Sequence, residues 1–425
     1  MTAALALWLA AQVLSAPAPP PSAAGGGALV GGLAADSVQA FVTRLAPAVE
    51  TLRGRRFRRP VPVHVEADTV AAAHFAARLA RFLPPDERRA WERAHVALGL
   101  VRPDTDLQQL LLEVLAEQAG GYYDPDRDAF VLLGDMPAAA LAVLVVHEMT
   151  HALDDQHFDI DSLLAIAAGD DDREAAFSAV VEGSGTWAMA VWCTNEIRAG
   201  RLDLEALAAF ADTEAARAVV LQAAPDVLVR ALLAPYVVGQ VFLAGDGPAA
   251  AAPDSIAGRI DRAFRAPPAS SEQVLHPVKY WDPDSLDTPS PIPIVDLAGI
   301  LGSGFALAGD GVLGELGMAA LTGPALDVGA IALDTTAAFT TPAASGWDGD
   351  RWCVWERGGA AVTVLASLWD TPRDAQEFET AARWPDGVHV ERRGEAVVAV
   401  CGAPAATAPR VAAACFAALA TAPAR

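Results

Sequence analysis

His147-Glu148-Met149-Thr150-His151 is the one stretch of the 425-residue chain whose residue types and spacing specify a chemistry. Two histidines four apart lie on one face of a helix, one turn apart. Both imidazoles can then reach a single Zn2+ at about 2.0–2.1 Å. Glu148 is rotated off that face by one residue. It is badly placed to be a ligand and well placed to take a proton from a water on the open side of the metal. A hydrolytic zinc site needs a third protein ligand, and three residues compete for the position. His157 stands where a metzincin would place its last histidine, but Asp154 occupies the position where that motif needs Gly to turn the chain. On a continuing helix His157 would also project about 240° from His151. Glu174 lies in the first turn of the next helical segment, where a capping role accounts for it. Glu182 follows an apolar run, Val180-Val181, and precedes the small residues Gly183, Ser184 and Gly185, which permit close approach. Glu182 is therefore the expected third ligand. Asp154 or Asp155 is a candidate to orient a ligand histidine through its free ring N–H.

The motif needs a helix, and the sequence supplies one. From Ala138 to Gln156 no Gly or Pro interrupts, and Leu141 to Val146 is apolar. Ahead of it, Tyr122-Tyr123 and Ala129 to Leu133 flank Asp124-Pro125-Asp126-Arg127-Asp128, a hairpin signal. A strand is expected at 61–65 and helices at 68–83, 86–99, 105–118 and 173–198. The cluster Arg53, Arg55, Arg56, Arg58, Arg59 reads as a solvated loop. The Pro-rich stretch 283–293 marks a boundary. Beyond about 345 the pattern changes to strands at 351–356, 361–368, 387–392 and 396–401, with helices at 373–383 and 407–419.

Composition narrows the partners. The 53 acids exceed the 30 Lys plus Arg, for a net charge of −23. Nucleic acid and anionic membranes both require a basic face, so neither is expected. Residues 1–16 are apolar and end in Leu14-Ser15-Ala16, and 17–35 are rich in Pro, Ala and Gly. This reads as a signal peptide and a linker, hence export to the periplasm or outside the cell. The leader is shorter than a membrane span, and later apolar stretches carry acids and glycines, so no stable span is expected. Of the four cysteines, Cys353 and Cys401 fall in strand-like runs and could pair; four free thiols are the equal alternative.

These residues resemble the gluzincin class of zinc metallopeptidases, and more closely a group of largely uncharacterised exported bacterial zinc proteases. The resemblance rests on Gly120 to Pro125, His147 to Asp159, Val181-Glu182-Gly183 and Ser271 to Tyr280, with a weaker match at Pro235 to Gly239. It departs after Glu182-Gly183, where Ser184-Gly185-Thr186 stands in place of an acidic or small residue followed by Ala. The resemblance implies a zinc peptidase acting on peptide or protein, with Glu182 completing the metal site. It also implies an edge strand along the cleft, ahead of the metal helix. All four tyrosines fall inside these blocks. Tyr236, Tyr280 and His276 are candidate donors to the oxyanion of a tetrahedral intermediate, and Tyr236 and His276 are taken as catalytic candidates beside Glu148. The expected architecture is α+β: a mainly helical, zincin-like metallopeptidase domain with a small sheet over 36–290, then an accessory region, 291–425, with a small α/β domain. Two rivals remain, a catalytically inactive zincin-fold binding or assembly protein and a structural zinc site closed by a fourth ligand, His157 or Glu174.

Overall fold

The computed structural model describes residues 35–421, apart from 119, 134–137, 168, 246–252 and 329–335. The expected signal peptide and nearly all of the linker lie outside the described residues. The chain is a mixed α+β protein with a five-stranded sheet in its C-terminal region.

Helix α1 (Ala35–Arg53) leads into a three-stranded sheet. Strand β1 (Val63–Glu66) runs parallel to β3 (Ala129–Leu133), and β2 (Gly121–Asp124) pairs with β3 antiparallel, leaving β2 at the edge. Side chains alternate across a strand, and the two faces serve different cores. Tyr123, Phe130 and Leu132 pack with α1 and with helix α2 (Ala138–Phe158). Tyr122, Val131 and Leu133 face the helices over 68–118. Helix α2 runs four residues beyond Asp154 and stops where Asp159 takes a left-handed conformation (φ 56°).

Helix α3 (Asp171–Arg198) packs against α2, and helix α4 (Asp226–Ala244) packs against α3. Asp170 caps α3 by accepting from the Arg173 N–H at 3.0 Å. Helix α4 is the one described helix long and apolar enough to cross a membrane, and 67% of its most apolar window is buried inside the protein. The surface of a membrane span would face lipid; here it faces α3, helix α5 (Pro253–Arg265) and helix α6 (Ser271–Leu275). The chain's single lysine follows α6. Lys279 Nζ lies 2.7 Å from Glu272 Oε1, 2.9 Å from Asp287 Oδ2 and 2.8 Å from Asp370 Oδ2, so one ammonium ties the segment around α6 to the C-terminal sheet.

That sheet has the order β4-β5-β6-β8-β7: β4 (Ala306–Gly311), β5 (Trp347–Arg357), β6 (Ala360–Trp369), β7 (His389–Arg393) and β8 (Ala396–Cys401). Every pairing is antiparallel. The expected small α/β unit is corrected accordingly: the β7–β8 hairpin reverses the chain after helix α8 (Pro372–Ala381), so the helical connection does not produce parallel neighbours. Helix α7 (Gly314–Thr322) joins β4 to the segment before β5. Strand β4 lacks any alternation in sequence and forms by pairing with β5. The inner face of the sheet, with Trp352, Leu365, Trp369 and Val397, shares one core with Trp91, Leu98 and Leu111 of the N-terminal half. Its outer face is covered by helix α9 (Ala408–Leu419).

The cysteine question is answered by register. Cys353 lies opposite Val364 and Cys401 opposite Thr363, adjacent residues of β6 that point to opposite faces. Cys353 and Cys401 therefore sit on opposite sides of the sheet, two strands apart, and do not pair. All four cysteines are free thiols.

Candidate metal centre

Helices α2 and α3 bring three donor atoms to one point. His147 Nε2 lies 2.8 Å from His151 Nε2 and 3.1 Å from Glu182 Oε2, and His151 Nε2 lies 3.4 Å from the same oxygen. Four-coordinate bonds of 2.0–2.1 Å would hold neighbouring donors roughly 3.3 Å apart. The donor set, two imidazoles and a carboxylate, is also one that zinc takes. The residues therefore fit a zinc ion. All three side chains are buried. Burial lowers the pKa of both histidines, His151 to about 4, so the rings are neutral at pH 7 and can offer a lone pair. Burial raises Glu182, against the lowering effect of its contact with His147. A buried carboxylate of this kind is stabilised by an adjacent cation.

The sequence around Glu182 explains how the helices approach so closely. A Cβ on Gly185 would lie 2.8–3.0 Å from the Cε1, Nε2 and Nδ1 atoms of His147. A Cβ on Gly183 would lie 2.4 Å from the Gly239 carbonyl carbon, and one on Gly239 would lie 2.1 Å from Ala179 O. Glycine in a helix interior costs about 1 kcal/mol relative to alanine. Here it allows α2 to press on α3 at one side and α4 at the other. The second contact sets Tyr236, three residues before Gly239, with its ring stacked on His147 at 6.0 Å between centroids. The Tyr236 hydroxyl is buried without a hydrogen-bond partner of normal geometry. Burial, with the nearby Glu182 and Glu148 carboxylates, holds its pKa well above the ordinary phenol value.

Glu148 is fully buried. Its Oε2 accepts the Tyr123 backbone N–H at 2.8 Å. That N–H belongs to edge strand β2 and points away from β3. The Tyr123 hydroxyl is anchored separately, 2.8 Å from both Asp128 Oδ1 and Asp155 Oδ2, the two carboxylates competing for its one proton.

His147, Glu148, His151, Glu182 and Tyr236 thus come together, and several other expected residues do not. His276 is the main correction. It follows the short helix α6 and its Nε2 lies 3.0 Å from Glu315 Oε1 on α7, so it is held by a carboxylate outside the ligand group. Tyr280 donates its hydroxyl to Ala266 O and packs between Phe242 and Trp281, a core role. His157 turns to the N-terminal segment, its Nε2 2.9 Å from Arg56 O. Glu174 accepts the Gly169 N–H at 3.3 Å near the start of α3. Asp154 does not orient His151, whose Nδ1 has no hydrogen-bond partner. Asp154 Oδ1 instead accepts from Arg53 Nη2 at 2.6 Å, and its Oδ2 accepts from Ser184 Oγ at 2.6 Å.

The arginine cluster is likewise no simple solvated loop. Arg53 is 1% exposed, Arg55 pairs with Asp261, and Gln156 binds the backbone of Arg58 and Arg59. Charge density alone did not mark Arg53. The usable signal was its position at the end of an amphipathic helix, opposite an acid in the last turns of α2.

A family model described as a domain of unknown function (DUF8575) matches residues 305–384, which run from β4 to just beyond α8. No curated protein and no solved structure matches the chain.

Proposed function

We propose that the protein is an exported zinc-dependent peptidase with a zincin-like site. The observation that carries this reading is the convergence, in one buried place, of His147 Nε2, His151 Nε2 and Glu182 Oε2 beside the Glu148 carboxylate and the Tyr236 hydroxyl. His147, His151 and Glu182 would hold the ion. Zinc, when bound, supplies Lewis acidity and lowers the pKa of a water.

The chain's own residues supply the rest. Glu148, fixed through Oε2 by the Tyr123 amide, takes the water's proton and delivers it to the leaving amine. Tyr236 donates from its hydroxyl to the developing oxyanion. Strand β2, at the sheet edge next to Glu148, would serve as the edge strand along the cleft that the resemblance implies. The expected leader over residues 1–16 supports export.

The structural-site alternative is disfavoured by the same geometry. It needs a fourth protein ligand. His157 and Glu174 are engaged elsewhere, and among the described residues the group has three members. An inactive relative would need no carboxylate beside the ligand group, and Glu148 is in place there.

The test is zinc content together with hydrolysis of an unfolded protein such as casein, for wild type and Glu148→Gln. Both should carry one zinc per chain, and only wild type should hydrolyse. Wild type that takes up no zinc on incubation with the metal would overturn the reading. Equal hydrolysis by the two proteins would remove Glu148 as the base.

A further inference from the structure

The geometry points to Arg53, Asp154 and Ser184 as a positioning device for the metal centre: a buried polar lock that fixes the spacing of the two ligand-bearing helices and so the affinity and geometry with which His147, His151 and Glu182 hold zinc. This inference rests on the zinc reading above and assigns a role to residues that touch no ligand atom.

Three helices meet at the lock. Asp154 is on α2, three residues after His151. Ser184 is on α3, two residues after Glu182. Arg53 closes α1. The Ser184 hydroxyl donates to Asp154 Oδ2 at 2.6 Å, and Arg53 donates to Asp154 Oδ1 from Nη2 at 2.6 Å and from Nε at 2.9 Å. The side chains of Arg53 and Asp154 are both 0% exposed. Arg53 Nη2 also lies 3.3 Å from Asp261 Oδ1 on α5, which ties a fourth helix to the same guanidinium.

Two features separate this arrangement from an ordinary buried ion pair. First, Ser184 sits between Gly183 and Gly185, two residues at which α3 comes close to α4 and to His147. The hydroxyl is therefore fixed where a small shift of α3 along α2 would change the separation of Glu182 Oε2 from both Nε2 atoms. Second, an apolar contact at this crossing would tolerate sliding, because hydrophobic burial is not directional. A fork from Arg53 and a hydroxyl bond on the two oxygens of one carboxylate permit a single register. A buried pair of this kind contributes little net stability compared with apolar residues of similar volume, which leaves geometry as its consequence. It also makes the N-terminal helix part of the metal centre, not a segment that can be removed without effect.

The experiment compares the full chain, as wild type, Ser184→Ala and the double variant Arg53→Met with Asp154→Leu. Zinc affinity is measured by chelator competition, the visible absorption of the cobalt(II)-loaded protein reports ligand geometry, and thermal unfolding of the metal-free proteins reports the fold. Both variants should bind zinc at least roughly 10-fold more weakly than wild type, the range seen when residues behind metal ligands are removed. Their cobalt bands should be shifted or weakened while the metal-free proteins unfold within a few degrees of wild type. A merely structural pair would lower the unfolding temperature and leave the affinity and spectrum of the folded protein unchanged, and that result would overturn the inference. Should the double variant fail to fold, Ser184→Ala decides alone, because it leaves the Arg53–Asp154 pair in place. Wild type without zinc would overturn this inference and the peptidase reading together; zinc held equally by all three proteins would overturn this inference only.

Discussion

At the scale of single residues, the site depends as much on atoms that are missing as on donors. Gly185 has no side chain where His147 needs space. Gly185→Ala should push the His147 ring aside, destabilise the fold by roughly 1–3 kcal/mol and weaken zinc binding by roughly 10- to 100-fold, read by urea unfolding and chelator competition. Gly258 is the control. It lies on an exposed face of α5, and a Cβ there meets nothing within 4 Å. Gly258→Ala should therefore raise stability by about 0.5–1 kcal/mol and leave zinc binding unchanged. Tyr236 makes the complementary case of a donor held beside the ligand carboxylate of Glu182. Tyr236→Phe removes only the hydroxyl, so zinc content should hold while kcat falls by roughly 100- to 1000-fold, the cost of losing one oxyanion donor. A fall in zinc content instead would make Tyr236 a packing residue.

At the scale of elements, the crossing of α3 and α4 is set by Gly183 against Gly239. Gly239→Ala places a methyl within 2.1 Å of Ala179 O, a backbone atom that cannot swing away. The helices must separate, and unfolding by denaturant should show a loss of at least roughly 1–3 kcal/mol. A stabilised protein would mean that α4 is free to slide. Elements were also where the sequence was most legible. The helix carrying His147 and His151, the hairpin before it and four of the five C-terminal strands follow from periodicity and from the placement of Gly and Pro. Glu182 was legible because an acid directly after an apolar run must face a core. Strand β4 was not, since Ala306 to Gly311 shows no alternation and its pairing with β5 is a long-range event. Nor were the partners of His276 and Arg53, because which carboxylate meets which cation depends on how distant helices pack, and no local pattern encodes that.

At the scale of the whole molecule, the acidic composition reaches into the interior. Asp350 is buried and accepts the Leu313 and Gly314 N–H groups and the Trp347 indole N–H. Desolvation nevertheless outweighs these bonds and raises its pKa to about 6, from 3.8. Asp172 is raised by the same cause, burial. A carboxyl whose folded pKa is raised binds more protons when folded than when unfolded, so stability is fullest at low pH and falls as pH rises from about 4 to about 6. For Asp350 the loss between pH 4.5 and 7 is about 2 kcal/mol. Buried His95 and His151, whose pKa is lowered to about 3 and about 4, act in the opposite direction over this range. The check, by denaturant unfolding, is therefore the stability of wild type minus that of Asp350→Asn, which should fall by about 2 kcal/mol from pH 4.5 to 7; a difference that stays constant would place the titration elsewhere.

The three-way ion pair of Lys279 has a practical consequence of another kind. Because Lys279 is the chain's single side-chain amine and three carboxylates bind its partly exposed ammonium, an acylating reagent, which attacks the neutral amine, reacts with it mainly when those ion pairs open. The rate at which that one site is labelled is thus a clock, already installed, for how often that three-way ion pair opens.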